Sequence, residues 1–186
     1  MSGAADRTIK WWNIVTGACL QTYDKGHNHE VFDIDVCDDN KKFASVGGDK
    51  TAFIWDVFTA TVVRKFIGHD QQINCVSYNQ LYNVLVTGSY DATVKIWDLE
   101  ARNMRPIQTL FDFTDSVTKI QVTTDQIICA SVDEHLRIYD IRMGKLYTQH
   151  MNAPVNGLYA WGDDDYVICT TTDNKIMLYD KAEGKI

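Results

Sequence analysis

The chain has 186 residues, of which 45% are hydrophobic and 23% charged, and it carries a formal net charge of -7 at pH 7. That is a globular composition with enough apolar material for a core, and its acidic balance argues against the clustered basic face of a nucleic-acid binder. Met1 to Asp6 holds no basic stretch leading into an apolar one, and no apolar run approaches bilayer length, so neither nucleic acid nor membrane is expected as a direct partner.

Along the chain one short pattern recurs: Asp6 to Trp12, Asp49 to Trp55, Asp91 to Trp97, Asp133 to Tyr139 and Asp173 to Tyr179. An Asp stands six positions before an aromatic, which is followed by Asn13, Asp56, Asp98, Asp140 or Asp180. The aromatics return at intervals of about 40 to 43 residues, the period of a four-stranded propeller blade. Within each copy apolar residues alternate, as Val94 and Ile96 do, which is strand periodicity. Upstream of the last four aromatics a second pattern places apolar residues at i, i+3 and i+5: Val31, Ile34, Val36; Ile73, Val76, Tyr78; Val117, Ile120, Val122; Val155, Leu158, Ala160. Further β-prone stretches, such as 83–89 and 60–66, complete four strands per repeat, and no helical period competes. The fold expected is all-β, a propeller of four-stranded antiparallel blades. Blade bounds follow as a partial blade at 1–25, full blades at 26–67, 68–110 and 111–150, and an incomplete blade at 151–186.

The five cysteines, Cys19, Cys37, Cys75, Cys129 and Cys169, are odd in number and form no CxxC. A reducing compartment, cytoplasm or nucleus, is expected, with each thiol packed as a small hydrophobe. Signals of catalysis fail on context. Gly47 to Thr51 lacks the spacing of a phosphate-binding loop and joins two strands. His27 and His29 have no third ligand spaced to complete a metal site. Asp38 to Asn40 and Asp163 to Asp165 read as turns rather than calcium loops. No catalytic residue, cofactor or metal is expected, and no enzymatic activity.

Because strand direction alternates in a meander, the turns between second and third strands share one rim with the links between blades. Exposed loop side chains there form a candidate protein-binding face: His29, Gln71 and Asp115 from the links, Tyr90 and Thr172 from the turns.

The repeats resemble the WD-repeat family across essentially the whole chain, and Gly26-His27 and Gly68-His69 reproduce its Gly-His pair. The resemblance implies a hydrogen-bonded relay of His, Ser or Thr, Asp and Trp that locks a blade: His27, Ser45, Asp49 and Trp55 in one, His69, Thr87, Asp91 and Trp97 in the next. Later repeats depart from it. Cys129 and Cys169 replace the hydroxyl residue, Tyr139 and Tyr179 replace Trp, Phe111-Asp112 stands where Gly-His is expected, and His150 is the substitute for His in the last repeat, offset by one position. Those blades are expected to rest on apolar packing more than on the relay. The family's usual seven-bladed ring needs roughly 280 to 315 residues; the chain reads as about four and a half blades of one, a fragment, a truncated gene model or a part completed by another chain.

Between the blades, 62–69, 105–110 and 139–144 look like the mitogen-activated protein kinase organizer subfamily. The likeness implies a non-catalytic scaffold whose partners are kinase-cascade or spliceosomal proteins. Tyr139-Asp140-Ile141-Arg142 also resembles, with Tyr for Trp, the box by which some WD proteins dock to cullin-RING ubiquitin ligases. Arg142 is then the adaptor contact of an alternative, a substrate-recruiting subunit.

Overall fold

The computed structural model describes residues 1–79, 81–161 and 165–185. A first, three-stranded sheet comprises β1 (Ser2–Gly3), β2 (Ile9–Trp12) and β3 (Cys19–Tyr23). The second holds β4 (Val31–Val36), β5 (Lys42–Gly47), β6 (Thr51–Asp56) and β7 (Thr61–Ile67). The third holds β8 (Ile73–Asn79), β9 (Val84–Ser89), β10 (Val94–Asp98) and β11 (Gln108–Leu110). The fourth holds β12 (Val117–Val122), β13 (Gln126–Ser131), β14 (His135–Asp140) and β15 (Lys145–His150). The fifth holds β16 (Val155–Trp161), β17 (Tyr166–Thr171) and β18 (Ile176–Asp180). Each sheet is an antiparallel meander, and no helix occurs among the described residues.

The odd spacing i, i+3, i+5 has a simple cause. In β4, β8, β12 and β16 the pairing register shifts between the first residue and the third, at Val31/Asp33, Ile73/Cys75, Val117/Lys119 and Val155/Gly157. A bulge adds one unpaired residue and reverses the phase of alternation. Apolar side chains three apart, which a regular strand would point to opposite faces, then face the same way.

Turn chemistry is equally regular. Arg7, Lys50, Ala92, Glu134 and Asn174, each one residue after the turn Asp, have φ between 58 and 70. Left-handed backbone is costly for non-glycine residues, and the Asp offsets it with an Asx turn: Oδ1 of Asp6, Asp49, Asp91 and Asp133 accepts the amide two residues on at 2.9 to 3.3 Å. The residue after the aromatic does the same for the next turn. Oδ1 of Asn13, Asp56, Asp98 and Asp180 accepts two amides each, and Oδ1 of Asp140 accepts that of Met143.

Neighbouring sheets stack face to face, and each junction is a core of its own. Ile9 and Tyr23 meet Phe43, Phe53 and Trp55; Ala52 and Phe66 meet Ile73, Leu85 and Trp97; Val86 and Val94 meet Val117, Ile120 and Ile127; Ile128 and Leu136 meet Val155, Val167 and Tyr179. The first strands of successive blades lie side by side and are tied by side chains reaching across. Asp33 and Asp35 accept the amides of Val76 and Tyr78 at 3.1 and 2.7 Å, Ser77 accepts that of Val122 at 3.1 Å, and Gln121 accepts that of Ala160 at 2.7 Å. Such bonds satisfy backbone groups that the meander alone leaves unpaired. Lys119 spans farther, from β12 to Asp33 on β4 at 2.7 Å.

Four cysteines are buried, but Cys19 is exposed on β3, contrary to the expectation of a core position for each. A register shift between Trp11 and Trp12 pairs Cys19 with Trp12, on the face away from buried Ile9 and Tyr23. The turn expected at Asp163 and Asp164 lies outside the described residues, whereas the carbonyl of Asp165 accepts the amide of Lys181 at 2.9 Å.

One tight junction is at Gly88 on β9, where a Cβ would sit 2.6 to 2.7 Å from Val117 Cγ1, Ile120 Cδ1 and Cys75 Sγ. Gly88→Ala overpacks this junction and is expected to cost about 1–3 kcal/mol in urea denaturation; a wild-type midpoint would show that the blades separate freely there.

Candidate protein-binding rim

Each link between blades meets the turn between the second and third strands of the blade it enters. Gly48 N donates to Glu30 O at 3.0 Å, Tyr90 N to Gln72 O at 3.0 Å, Val132 N to Ser116 O at 2.9 Å and Thr172 N to Pro154 O at 3.0 Å. The rim is therefore a fixed lattice of paired loops, and Lys50 Nζ joins two blades by donating to Asp70 O at 2.8 Å.

In the second and third sheets a buried relay ties both loops to the core. An indole N–H can only donate and a carboxylate only accept, so the order of donors is set. Trp55 Nε1 donates to Ser45 Oγ at 2.8 Å, the Ser45 hydroxyl donates to His27 Nε2 at 2.7 Å, and His27 Nδ1 donates to Asp49 Oδ2 at 2.8 Å. In the next blade Trp97, Thr87, His69 and Asp91 repeat this at 2.9, 2.8 and 2.8 Å. The amides of Asn28 and Asp70 also donate to those Asp Oδ2 atoms. His27 and His69 are themselves buried. Gly26 belongs to the same unit, since a Cβ there would overlap the indole of Trp55. Burial opposes the charge of Asp91, but donation from His69 and Thr93 outweighs it and holds the carboxyl below its ordinary 3.8.

The fourth and fifth blades lack the relay, as their departures in sequence imply, but the residues that stand in for it differ from those the sequence suggested. Thr114 N donates to Asp133 Oδ2 at 3.1 Å, the bond that Asn28 N and Asp70 N make in their blades. Phe113, the residue before it, therefore takes the place of His, and Phe111-Asp112 does not correspond to Gly-His. Apolar packing alone does not hold this blade: the buried Arg137 reaches Asp133 at 2.8 Å and lies 4.8 Å over the Phe113 ring. Burial again opposes the charge of Asp133, and the Arg137 guanidinium and Thr114 amide hold its carboxyl low. Asp112 accepts the Tyr139 hydroxyl at 3.1 Å. His150 takes no part in a relay; it is exposed and pairs with Glu134 at 3.3 Å, while Met151 is buried in the core. Arg137 stands four residues after the turn Asp, where other copies have Lys10, Phe53, Lys95 and Met177, so a cation there is not distinctive by itself; the legible signal was Phe113 in place of His, which leaves Asp133 in need of another partner.

His29, Gln71, Tyr90, Asp115 and Thr172 are all exposed on the paired loops of this rim. Arg142 lies elsewhere, on the turn between β14 and β15 at the opposite rim, exposed and 3.2 Å from Asp125. Gly47 to Thr51 is the β5–β6 turn. Among the described residues no group of three or more His, Cys, Asp and Glu is placed to hold a metal ion. Burial pushes the thiols of Cys75 and Cys129 far up and that of Cys169 up to about 12, which leaves them protonated and unreactive.

Asp91→Ala strands His69 and the Asp70 amide and is expected to cost about 1–3 kcal/mol, against about 0.5 kcal/mol or less for exposed Glu100→Ala; thermal melts compare them. Arg137→Met leaves Asp133 buried without its cation and should cost about 3–5 kcal/mol, most of it regained when Asp133→Asn is added. The acid limb has a defined sign. Asp91 and Asp133 bind protons less readily folded than unfolded, so their contribution is complete above the ordinary 3.8 and is lost as pH falls below it toward the lowered folded values. A denaturation series across that range should show a flatter acid loss in Asp91→Asn.

Residues 17–56 and 60–98 match the family model described as WD domain, G-beta repeat. A WD repeat domain-containing protein 83 homolog of Dictyostelium discoideum is 29% identical over 209 residues, covering 97% of this chain and 64% of that protein. An uncharacterized WD repeat-containing protein of Schizosaccharomyces pombe is 37% identical over 186 residues, covering 100% of this chain and 62% of its own length. The chain thus spans less than two thirds of these relatives. The solved structure of U3-55K superimposes with a TM-score of 0.89 at 19% identity over 98% of this chain and 57% of that one, a likeness of fold. Recurrent turns, stacked antiparallel sheets and these matches agree: residues 17–56 and 60–98 match WD repeats, and the chain folds as successive blades of a β-propeller.

Proposed function

We propose that this chain serves as a non-catalytic scaffold of the mitogen-activated protein kinase organizer type, gripping kinase-cascade or spliceosomal proteins on the rim that carries Tyr90, in the cytoplasm or nucleus. WD-repeat proteins are in general protein-interaction scaffolds, and the subfamily rests on the resemblance of 62–69, 105–110 and 139–144. The observation that carries the reading is the rim. Its loops are hydrogen-bonded in pairs and anchored through buried relays, so exposed Tyr90, Gln71 and His29 are presented with little freedom to lose on binding. A tyrosine at such a site combines buried area with a polar tip.

A second reading, a substrate-recruiting subunit of a cullin-RING ligase, draws on the exposure of Arg142, whose guanidinium could fork onto an acidic or carbonyl acceptor. Affinity purification and mass spectrometry of the native gene product, with Tyr90→Ala and Arg142→Ala beside wild type, separates the two. Kinase-cascade or splicing proteins lost with Tyr90→Ala and kept with Arg142→Ala are the expected result. A ligase adaptor lost only with Arg142→Ala would replace the scaffold reading.

A further inference from the structure

The third blade departs from its neighbours where its third strand hands over to its fourth. The second and fourth blades make that connection in tight turns at 57–60 and 141–144. Here residues 99–107 intervene, and β11 is only three residues long. The shortened strand leaves part of the sheet uncovered, and a groove of about 390 Å³ opens between the third and fourth blades. That volume falls within the range of about 300–1,000 Å³ typical of sites that take small ligands or large side chains.

Val86, Leu110 and Ile127 line the groove and are buried. Around its mouth stand Tyr82, Ile107, Ile141 and Leu146, exposed at 52, 59, 51 and 41%. Apolar side chains from four separate segments converge there on a concavity, a pattern that scattered surface hydrophobes do not produce. Tyr82 and Ile141 belong to turns of the rim opposite Tyr90, so this surface is distinct from the one already proposed.

Charge decides what fits. The nearby carboxylates are engaged within the chain: Asp98 accepts the amides of Glu100 and Ala101, Glu100 accepts Asn83 Nδ2, Asp140 accepts the amide of Met143, and Asp125 pairs with Arg142. The cations are not. Lys145, which lines the groove, and Arg102 and Arg105, in the loop leading to Ile107, are exposed and without an ion pair or side-chain hydrogen bond among the described residues. The hydrogen-bonded Asp98, Glu100 and Asp140 keep their charge, so the border of this apolar slot carries both signs, and its cations are the charges left without a partner. β11 is also the terminal strand of its sheet, with one free hydrogen-bonding edge.

We propose that this groove docks an extended segment of a partner protein that places a bulky apolar side chain between the two blades and acidic residues against Lys145 and Arg105. The apolar contact supplies most of the binding free energy, and the cations set orientation and partner choice.

Panning a displayed random-peptide library on the full chain, then measuring fluorescence anisotropy of the enriched peptides, tests this. Ile107→Asp and the pair Arg105→Glu, Lys145→Glu alter exposed side chains, and circular dichroism melts check that both variants stay folded. The expected consensus is an apolar centre flanked by Asp or Glu. Each variant should weaken binding about tenfold or more, while Tyr90→Ala stays within about twofold of wild type. Higher salt should weaken it as well. Failure to enrich any peptide, a consensus without acidic flanks, or binding that survives Ile107→Asp would overturn the proposal. So would concentration-dependent self-association abolished by Ile107→Asp, which would assign the groove to a second copy of the chain. The Tyr90→Ala arm keeps the rim reading and this one separately testable.

Discussion

A tryptophan buried between two sheets must find an acceptor for its indole N–H, and much of the structure follows from how that need is met. Trp55 and Trp97 donate to a hydroxyl on the neighbouring strand, the hydroxyl to a histidine on the inter-blade link, and the histidine to an aspartate in the adjoining turn. Four groups, each costly to bury alone, are satisfied by one another. The chain of bonds runs from the core to the surface, so the same interactions that make burial tolerable also fix the loops of the rim.

The fourth blade shows that the requirement is chemical rather than tied to one set of residues. Its aromatic is Tyr139, whose hydroxyl finds Asp112, so no indole demands a hydroxyl and Cys129 can occupy that position as a hydrophobe. The turn carboxylate of Asp133 still has to be paired, and Arg137 supplies the charge from within the sheet. In the fifth blade Met151 fills the buried histidine position and Asp173 lies near the surface, bonded to Thr171 and Lys175. Exposure of the carboxylate removes the need for a buried partner.

The two rims of the arc are built differently. On one, paired loops hold Tyr90 and its neighbours in place through bonds to the core. On the other, the turns after the third strands are closed by the residue that follows the aromatic and bond to the turns between first and second strands, as Val57 N does to Lys41 O and Ile141 N to Asp125 O, with no buried relay beneath them among the described residues. Surface turns tolerate insertion without disturbing the sheets, and residues 99–107 lengthen one while Leu99 N keeps its bond to Asn83 O. The groove beside β11 is a consequence of that local lengthening combined with a neighbouring blade whose turn stays tight.

Strand number, blade period and stacking were legible in the sequence because both recurring patterns are local: an aspartate six residues before an aromatic, and apolar residues in fixed phase. The relay residues of two blades came from the resemblance to WD repeats, carried over position by position within one repeat. What the sequence left open depends on contacts between repeats or on backbone phase. The bulges that make i, i+3, i+5 one face are visible only in the strand pairing. The pairing of Arg137 with Asp133, the displacement of His150 by Met151, and the exposure of Cys19 were decided by which sheet face each residue occupies. The groove between the third and fourth blades is more remote still from sequence, because its walls come from segments more than sixty residues apart. Local periodicity thus determined the repeat and its turns, and tertiary stacking alone decided which side chains meet, because each blade completes its core only with the next.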